Sequence, residues 1–278
     1  MYIEKIIKQG EKKMRYDTYL KRGNLADSTI GNYMWTANYF NNHYPELSKA
    51  NLLDYKDFLI QNYNPLTVNV RIQAMNKYLE YQNKEKLQLK CVKVQQKNFL
   101  ENVISNADYI YFKRKLKKLE NRQLYFAVWF MAATGARVSE LIKFKIEHVA
   151  TGYVDIYGKG GKLRRIYIPE KLQKEAIEWI STLNRDSGFL FVNRFGKQIT
   201  TRGIAQQIKA YAIKFGLEPR VVYPNSFRHR FAKNFLEKRE DLALLADLLG
   251  HESIETTRIY LRRTSTEQRS IINKIVTW

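Results

Sequence analysis

The chain has 278 residues, 45% of them hydrophobic and 13% aromatic, which is enough apolar mass for one large or two ordinary packed domains and too much for a disordered chain. Lys and Arg number 48 against 27 Asp and Glu, a formal charge of +21 that suits a polyanionic partner; residues 1 to 98 carry 16 basic against 9 acidic side chains and the remainder 32 against 18, so neither part is a solvating tail. The longest apolar run, 125 to 133, is too short to span a membrane, the first residues lack the apolar core of a signal peptide, and the single Cys91 cannot form an internal disulfide, so a reducing cytoplasm is expected.

The first part reads as helical throughout. An opening helix is expected around residues 14 to 20, followed by one capped by Asp27 or Ser28 whose apolar positions Ile30, Tyr33, Met34, Ala37 and Phe40 recur at helical spacing. Ser48 is placed to start another, with Leu52, Tyr55, Phe58 and Leu59 on one side. After the Asn64-Pro65 turn, Thr67 is expected to cap a fourth, carrying Val70, Ala74 and Tyr78 beside Ile72, Met75 and Leu79. These four helices make a small domain over residues 1–82. Residues 83–98, where Lys84, Lys86 and Lys90 interleave with Leu87 and Leu89 without a clean period, read as a linker to a second domain at 99–278.

In that second domain, residues 99 to 104 and 109 to 119 look helical, and 123 to 133 is apolar nearly all round, as a central buried helix is. The stretch YVDIYGKGGKLRRIYIP switches to alternation about a glycine-rich turn, a hairpin signal. A further short strand is expected at 188 to 192, and the rest returns to helices. The fold class is therefore mainly α with a small antiparallel β-sheet.

Four residues far apart in the chain carry the chemistry. Arg137 follows Gly135, a natural helix stop, and precedes a new helical pattern in Val138, Leu141 and Ile142, so its guanidinium and the N–H groups of a helix start form a candidate anion site. Pro224 suits a first helical turn, which puts Asn225 and Arg228 on one face; His229, about 100° round from Arg228, is assigned to packing or a backbone contact. Gly250 ends a Leu-rich helix, leaving His251 in the turn and Ser253 or Glu252 to open the helix that bears Tyr260. A phenol can attack phosphorus while guanidinium forks hold the non-bridging oxygens, so these residues can break a phosphodiester without a metal. No metal or cofactor is expected: His43, His148, His229 and His251 include no i, i+4 pair, and one cysteine does not make a zinc site.

The segments ATGARVSEL, GKGGKLRRIYIP, P-x-S-F-R-H and LLGHxSIxTTxIY, in this order, resemble the tyrosine recombinase (phage integrase) family over the whole portion from about residue 99 onward, and the C-terminal wording looks most like integrases of Gram-positive mobile elements. The resemblance implies an N-terminal core-binding domain of SAM-like helical type and a catalytic domain, closing on double-stranded DNA from opposite sides, with a dimer at each recombination site and a tetramer in synapsis. It further implies that Tyr260 attacks the scissile phosphate to give a 3'-phosphotyrosyl bond and a 5'-hydroxyl, that Arg137 and Arg228 clamp the phosphate, that His251 donates a hydrogen bond to it, and that Lys159, with Lys162 as the competing choice, protonates the leaving oxygen. One position departs from the family. Asn225 stands where a histidine is usual, and an amide has no titratable nitrogen to accept the tyrosine proton, so the step that needs a base is expected to be slowed by up to ~10²- to 10⁴-fold. The alternatives are a DNA-binding protein of the same fold with little or no cleavage, and a metal-dependent nuclease, for which clustered carboxylates are lacking.

Overall fold

The computed structural model describes residues 14–95, 102–119, 122–157, 163–261, 269 and 272–276. The chain divides into two compact units, Met1–Gln96 and Lys97–Trp278.

The first unit is built from α1 (Tyr16–Arg22), α2 (Asp27–His43), α3 (Lys49–Asn62) and α4 (Pro65–Tyr81). Ser48 caps α3 by accepting from the Asn51 N–H. Two caps differ from expectation. Ala26, with no side-chain bond, precedes α2, and Asn64 rather than Thr67 caps α4, accepting from the Thr67 N–H while Pro65 fills the first helical position. Leu20, Phe40, Leu52, Tyr55, Leu59, Ile72 and Met75 close the core.

Residues 83 to 95, expected to be linker, are in part docked on this unit. After a 3₁₀ turn at Glu85–Leu87, the side-chain amide of Asn76 pairs with both backbone groups of Leu89 (2.9 and 2.8 Å), and Asn69 does the same for Val92 (2.9 and 2.8 Å). Each amide replaces the hydrogen bonds of a missing neighbouring strand, so Leu89 is buried without secondary structure.

The second unit contains α5 (Asn106–Lys117), α6 (Arg122–Thr134), α7 (Val138–Leu141), α8 (Ile146–Thr151), strands β1 (Tyr153–Tyr157) and β2 (Leu163–Tyr167), α9 (Glu170–Ile180), α10 (Thr201–Lys214), α11 (Pro224–Lys238), α12 (Leu242–Leu249) and α13 (Ile254–Arg258), with a 3₁₀ turn at Ile259–Leu261. The strands pair antiparallel, Tyr153 opposite Tyr167 and Tyr157 opposite Leu163. α6 is the central helix, with Leu124 to Met131 all buried. The face of α11 bearing Phe227 joins the same core, and Phe227 stacks on Phe112 of α5.

Two expected elements are not formed among the described residues. Residues 102 to 104 are not helical: the Ile104 N–H donates to Ser226 Oγ (2.7 Å) and its carbonyl accepts from Arg230, so side chains of α11 satisfy the backbone that a helix would have satisfied. Residues 188 to 192 form only isolated bridges, Phe189 with Lys145 and Val192 with Gln198, because single residues rather than a strand lie opposite. At the end of the chain, Ile272, Ile275 and Val276 are exposed, and Ile271 lies outside the described residues.

Candidate active site

Two helix ends and one helix bring the distant residues together. α6 ends at Gly135, whose φ of +66° only glycine adopts without strain and whose missing Cβ leaves room for Phe231: a Cβ there would stand 2.6 Å from the ring. Arg137 follows two residues on, after the buried Ala136. α12 ends at Gly250 (φ +63°), which puts His251 in the turn, and Ser253 then caps α13. α11 crosses behind both, carrying Asn225, Arg228 and His229.

Arg228 is the hub. It is 4% exposed, and its Nη1 donates to the Gly135 carbonyl (2.6 Å) while Nη2 donates to the Leu249 carbonyl (2.8 Å) and faces His251 Nε2 at 3.0 Å. One buried guanidinium thus ties the ends of α6 and α12 to α11. Burial, with the charges of Arg137 and Arg164, brings its pKa down to about 10, so it is cationic at neutral pH.

Because Arg228 only donates, His251 Nε2 accepts, and the imidazole carries its proton on Nδ1, which donates to Thr257 Oγ1 at 2.7 Å. Burial, then Arg228 and Arg137, push the His251 pKa down to about 4. In this state His251 is therefore a neutral acceptor; the donor expected from the sequence arises only when Nε2 gains a proton or gives up Arg228.

Arg137 is the more open guanidinium, its side chain 41% exposed. The helix start beside it is not a vacant anion site, contrary to expectation: the Arg137 N–H donates to Glu140 Oε2 (2.7 Å) and its Nη1 to Glu140 Oε1 (3.0 Å). Glu140 also receives Arg164 Nη1 at 2.8 Å, and Arg164 Nε donates to the Leu248 carbonyl at 2.9 Å. A buried Arg164–Glu140 pair from β2 and α7 thus fixes the base of the Arg137 side chain. The Cβ absent from Gly250 would lie 2.4 Å from Arg164 Cδ.

Tyr260 is 4% exposed, packed with Ala232, Leu236, Leu245 and Leu249. Its phenol oxygen lies 3.0 Å from His229 Nδ1, and its ring stacks against His251 at 6.3 Å. Burial raises the phenol pKa, and Arg228, within hydrogen-bonding reach, and Arg137 oppose that shift. His229 is held down to about 4 by burial and by Arg228. The assignment of His229 to packing or a backbone contact is thereby corrected: its ring nitrogen meets the phenol. Arg137, Arg228, His251 and Tyr260 converge. Asn225 lies exposed on the first turn of α11, and Lys159 and Lys162 lie outside the described residues.

The phage integrase family model matches residues 93–267. The chain belongs to the phage integrase family. Among curated relatives, tyrosine recombinase XerA of Pyrococcus furiosus is 27% identical over 271 residues, covering 93% of this chain and 92% of its own, and tyrosine recombinase XerD of Vibrio cholerae is 27% identical over 303 residues, covering 96% of each. A solved lambda integrase dimer bound to a COC' core site shares the fold at 14% identity (TM-score 0.70; 88% of this chain, 92% of that one). So does XerH bound to palindromic difH substrate in a post-cleavage complex, at 21% identity (TM-score 0.69; 91% and 81%). Among the described residues of this integrase-family chain, no helix is long and apolar enough to cross a membrane, and no group of three or more His, Cys, Asp and Glu is placed to hold a metal ion.

Proposed function

We propose that this phage integrase family member is a site-specific tyrosine recombinase that cuts and rejoins double-stranded DNA through a 3'-phosphotyrosyl intermediate. The observation that carries this reading is the convergence of Tyr260 with Arg228 and His251, residues brought from three separate elements to one place. Arg137 and Arg228 would hold the non-bridging oxygens and stabilise the charge that develops on them. Tyr260 Oη attacks phosphorus, the bond to the 5'-oxygen breaks, and Lys159 delivers the proton that makes the leaving group a 5'-hydroxyl. Because the phosphoester is conserved in the tyrosyl bond, the 5'-hydroxyl of another strand reseals it with no external energy.

Asn225 offers an amide to the phosphate from the exposed start of α11 and no proton acceptor, so any base must lie elsewhere or the cleavage step is slowed. The charge of +21 suits the duplex, the lambda integrase dimer solved on a core site supports a dimer at each site, and two such sites meeting would make a tetramer. The setting is the bacterial cytoplasm, on DNA.

The test is a suicide duplex nicked beside the crossover, incubated with and without EDTA. A covalent protein–DNA band that survives EDTA and is lost in Tyr260→Phe is expected. Specific binding without a band from the wild-type protein supports instead a DNA-binding protein of the same fold.

A further inference from the structure

We infer that His229 is the general base for the recombinase: its Nδ1 takes the Tyr260 phenolic proton as the phosphotyrosyl bond forms. This rests on the recombinase reading above.

The geometry is direct. His229 Nδ1 stands 3.0 Å from Tyr260 Oη, within the range over which a proton passes between heavy atoms. With the imidazole proton on Nε2, the phenolic O–H donates to Nδ1, and the positive charge of Arg228 nearby favours the phenolate that forms as the proton leaves. His229 is neutral at physiological pH, since burial and Arg228 disfavour its cation, and it therefore has a lone pair to offer. The other titratable or charged groups around this pair are His251, which stacks on Tyr260, Arg137, and the Tyr223 phenol, whose pKa burial and Tyr260 both raise, so that it stays protonated and offers no base. His251 does not compete for the proton, because its Nε2 is bonded to Arg228 and its Nδ1 to Thr257.

The helix period accounts for the location. Asn225 and His229 are four residues apart on α11, one turn along the same face, so an imidazole lacking at the first position is present at the next. In the forward step the Tyr260 O–H bond breaks, the proton goes to His229 Nδ1, the Oη–P bond forms and the P–O5' bond breaks, with the leaving oxygen protonated by the group proposed above. On resealing, the incoming 5'-hydroxyl returns its proton to the group that protonated the leaving oxygen and attacks phosphorus, the Oη–P bond breaks, and the His229 imidazolium returns its proton to the phenolate. No co-reactant is needed.

The experiment is single-turnover adduct formation on the nicked suicide duplex from pH 5 to 9, with wild-type protein, His229→Ala and His229→Gln, alongside gel-shift affinities and melting curves. Loss of a positioned base lowers such a step by roughly 10²- to 10⁴-fold. The expected result is a loss of that size in both variants at near wild-type DNA affinity. In His229→Ala the residual rate should rise with pH and recover at least about tenfold with added imidazole, which fits the vacated space and restores the acceptor. Should the alanine variant fail to fold, the glutamine variant decides, since it keeps the volume and a hydrogen bond but cannot take a proton. Cleavage by either folded variant at close to the wild-type rate overturns the inference, as does a loss in His229→Ala that neither imidazole nor higher pH relieves. A wild-type protein that forms no adduct overturns the recombinase reading itself, whereas an adduct formed equally well without His229 removes only this inference.

Discussion

Replacing Arg164 by Met keeps the aliphatic stem and deletes a guanidinium that no substrate need touch, which isolates the support beneath Arg137. Two bonds disappear, at 2.8 Å to Glu140 and 2.9 Å to the Leu248 carbonyl, from a side chain only 10% exposed. Breaking a buried ion pair by removing one partner costs ~3–5 kcal/mol. Here the penalty is smaller, because Glu140 keeps the N–H and the guanidinium of Arg137, and because the variant also discards Arg164 Nη2, which is buried without a partner among the described residues. A net loss of about 2–3 kcal/mol follows. For a unit of this size, at ~2–4 °C per kcal/mol, calorimetry should show the melting temperature falling by about 5–10 °C. Adduct formation should fall by about tenfold or more at temperatures where the variant is folded, because Glu140 then holds Arg137 without a second cation to fix it. A melting temperature within about 2 °C of wild type, together with unchanged cleavage, would show that this pair neither stabilises the fold nor orients the phosphate site.

Gly135→Ala forces a side chain into left-handed backbone at ~1–2 kcal/mol and against Phe231 at ~1–3 kcal/mol, so urea unfolding should reveal a clear loss of stability; an alanine variant as stable as wild type contradicts the packing described. His229 and His251 are each held near 4, below the ordinary 6.5. Between those values the unfolded chain binds protons that the folded chain refuses, so stability should fall as pH is lowered from 6.5 towards 4. His229→Gln should flatten part of that slope, and identical pH profiles for wild type and variant would refute the burial of a neutral ring. Duplex affinity should drop steeply with salt, the slope of log K against log[salt] being about −0.9 for each phosphate neutralised. A flat dependence between low and physiological salt rules out a phosphate-dominated footprint.

The parts of the site legible in the sequence are those set by local chain reversal. Gly135 and Gly250 announce helix ends, and the chain beyond each, Arg137 two residues on and His251 one, is delivered to the same place. His229 escaped because its angle was measured from Arg228; measured from Asn225, four residues away, it lies on the reacting face. Glu140 had a visible signal, an acidic residue three positions after Arg137, where a helix start is closed by its own side chain. Arg164 had none, since its partners lie 24 and 84 residues away and only the tertiary fold brings them within reach. The docking of Leu89 and Val92 was hidden for a similar reason: Asn69 and Asn76 read as ordinary surface amides until an extended segment lies across them.

The central claim is that one phenolic oxygen takes over a DNA strand end. Peptide mapping by mass spectrometry of the trapped protein–DNA adduct tests it most directly. A nucleotide attached through a 3'-phosphate to Tyr260, with a free 5'-hydroxyl on the other strand end, is the predicted result. Attachment to another residue, or cut ends with no attached protein, contradicts it.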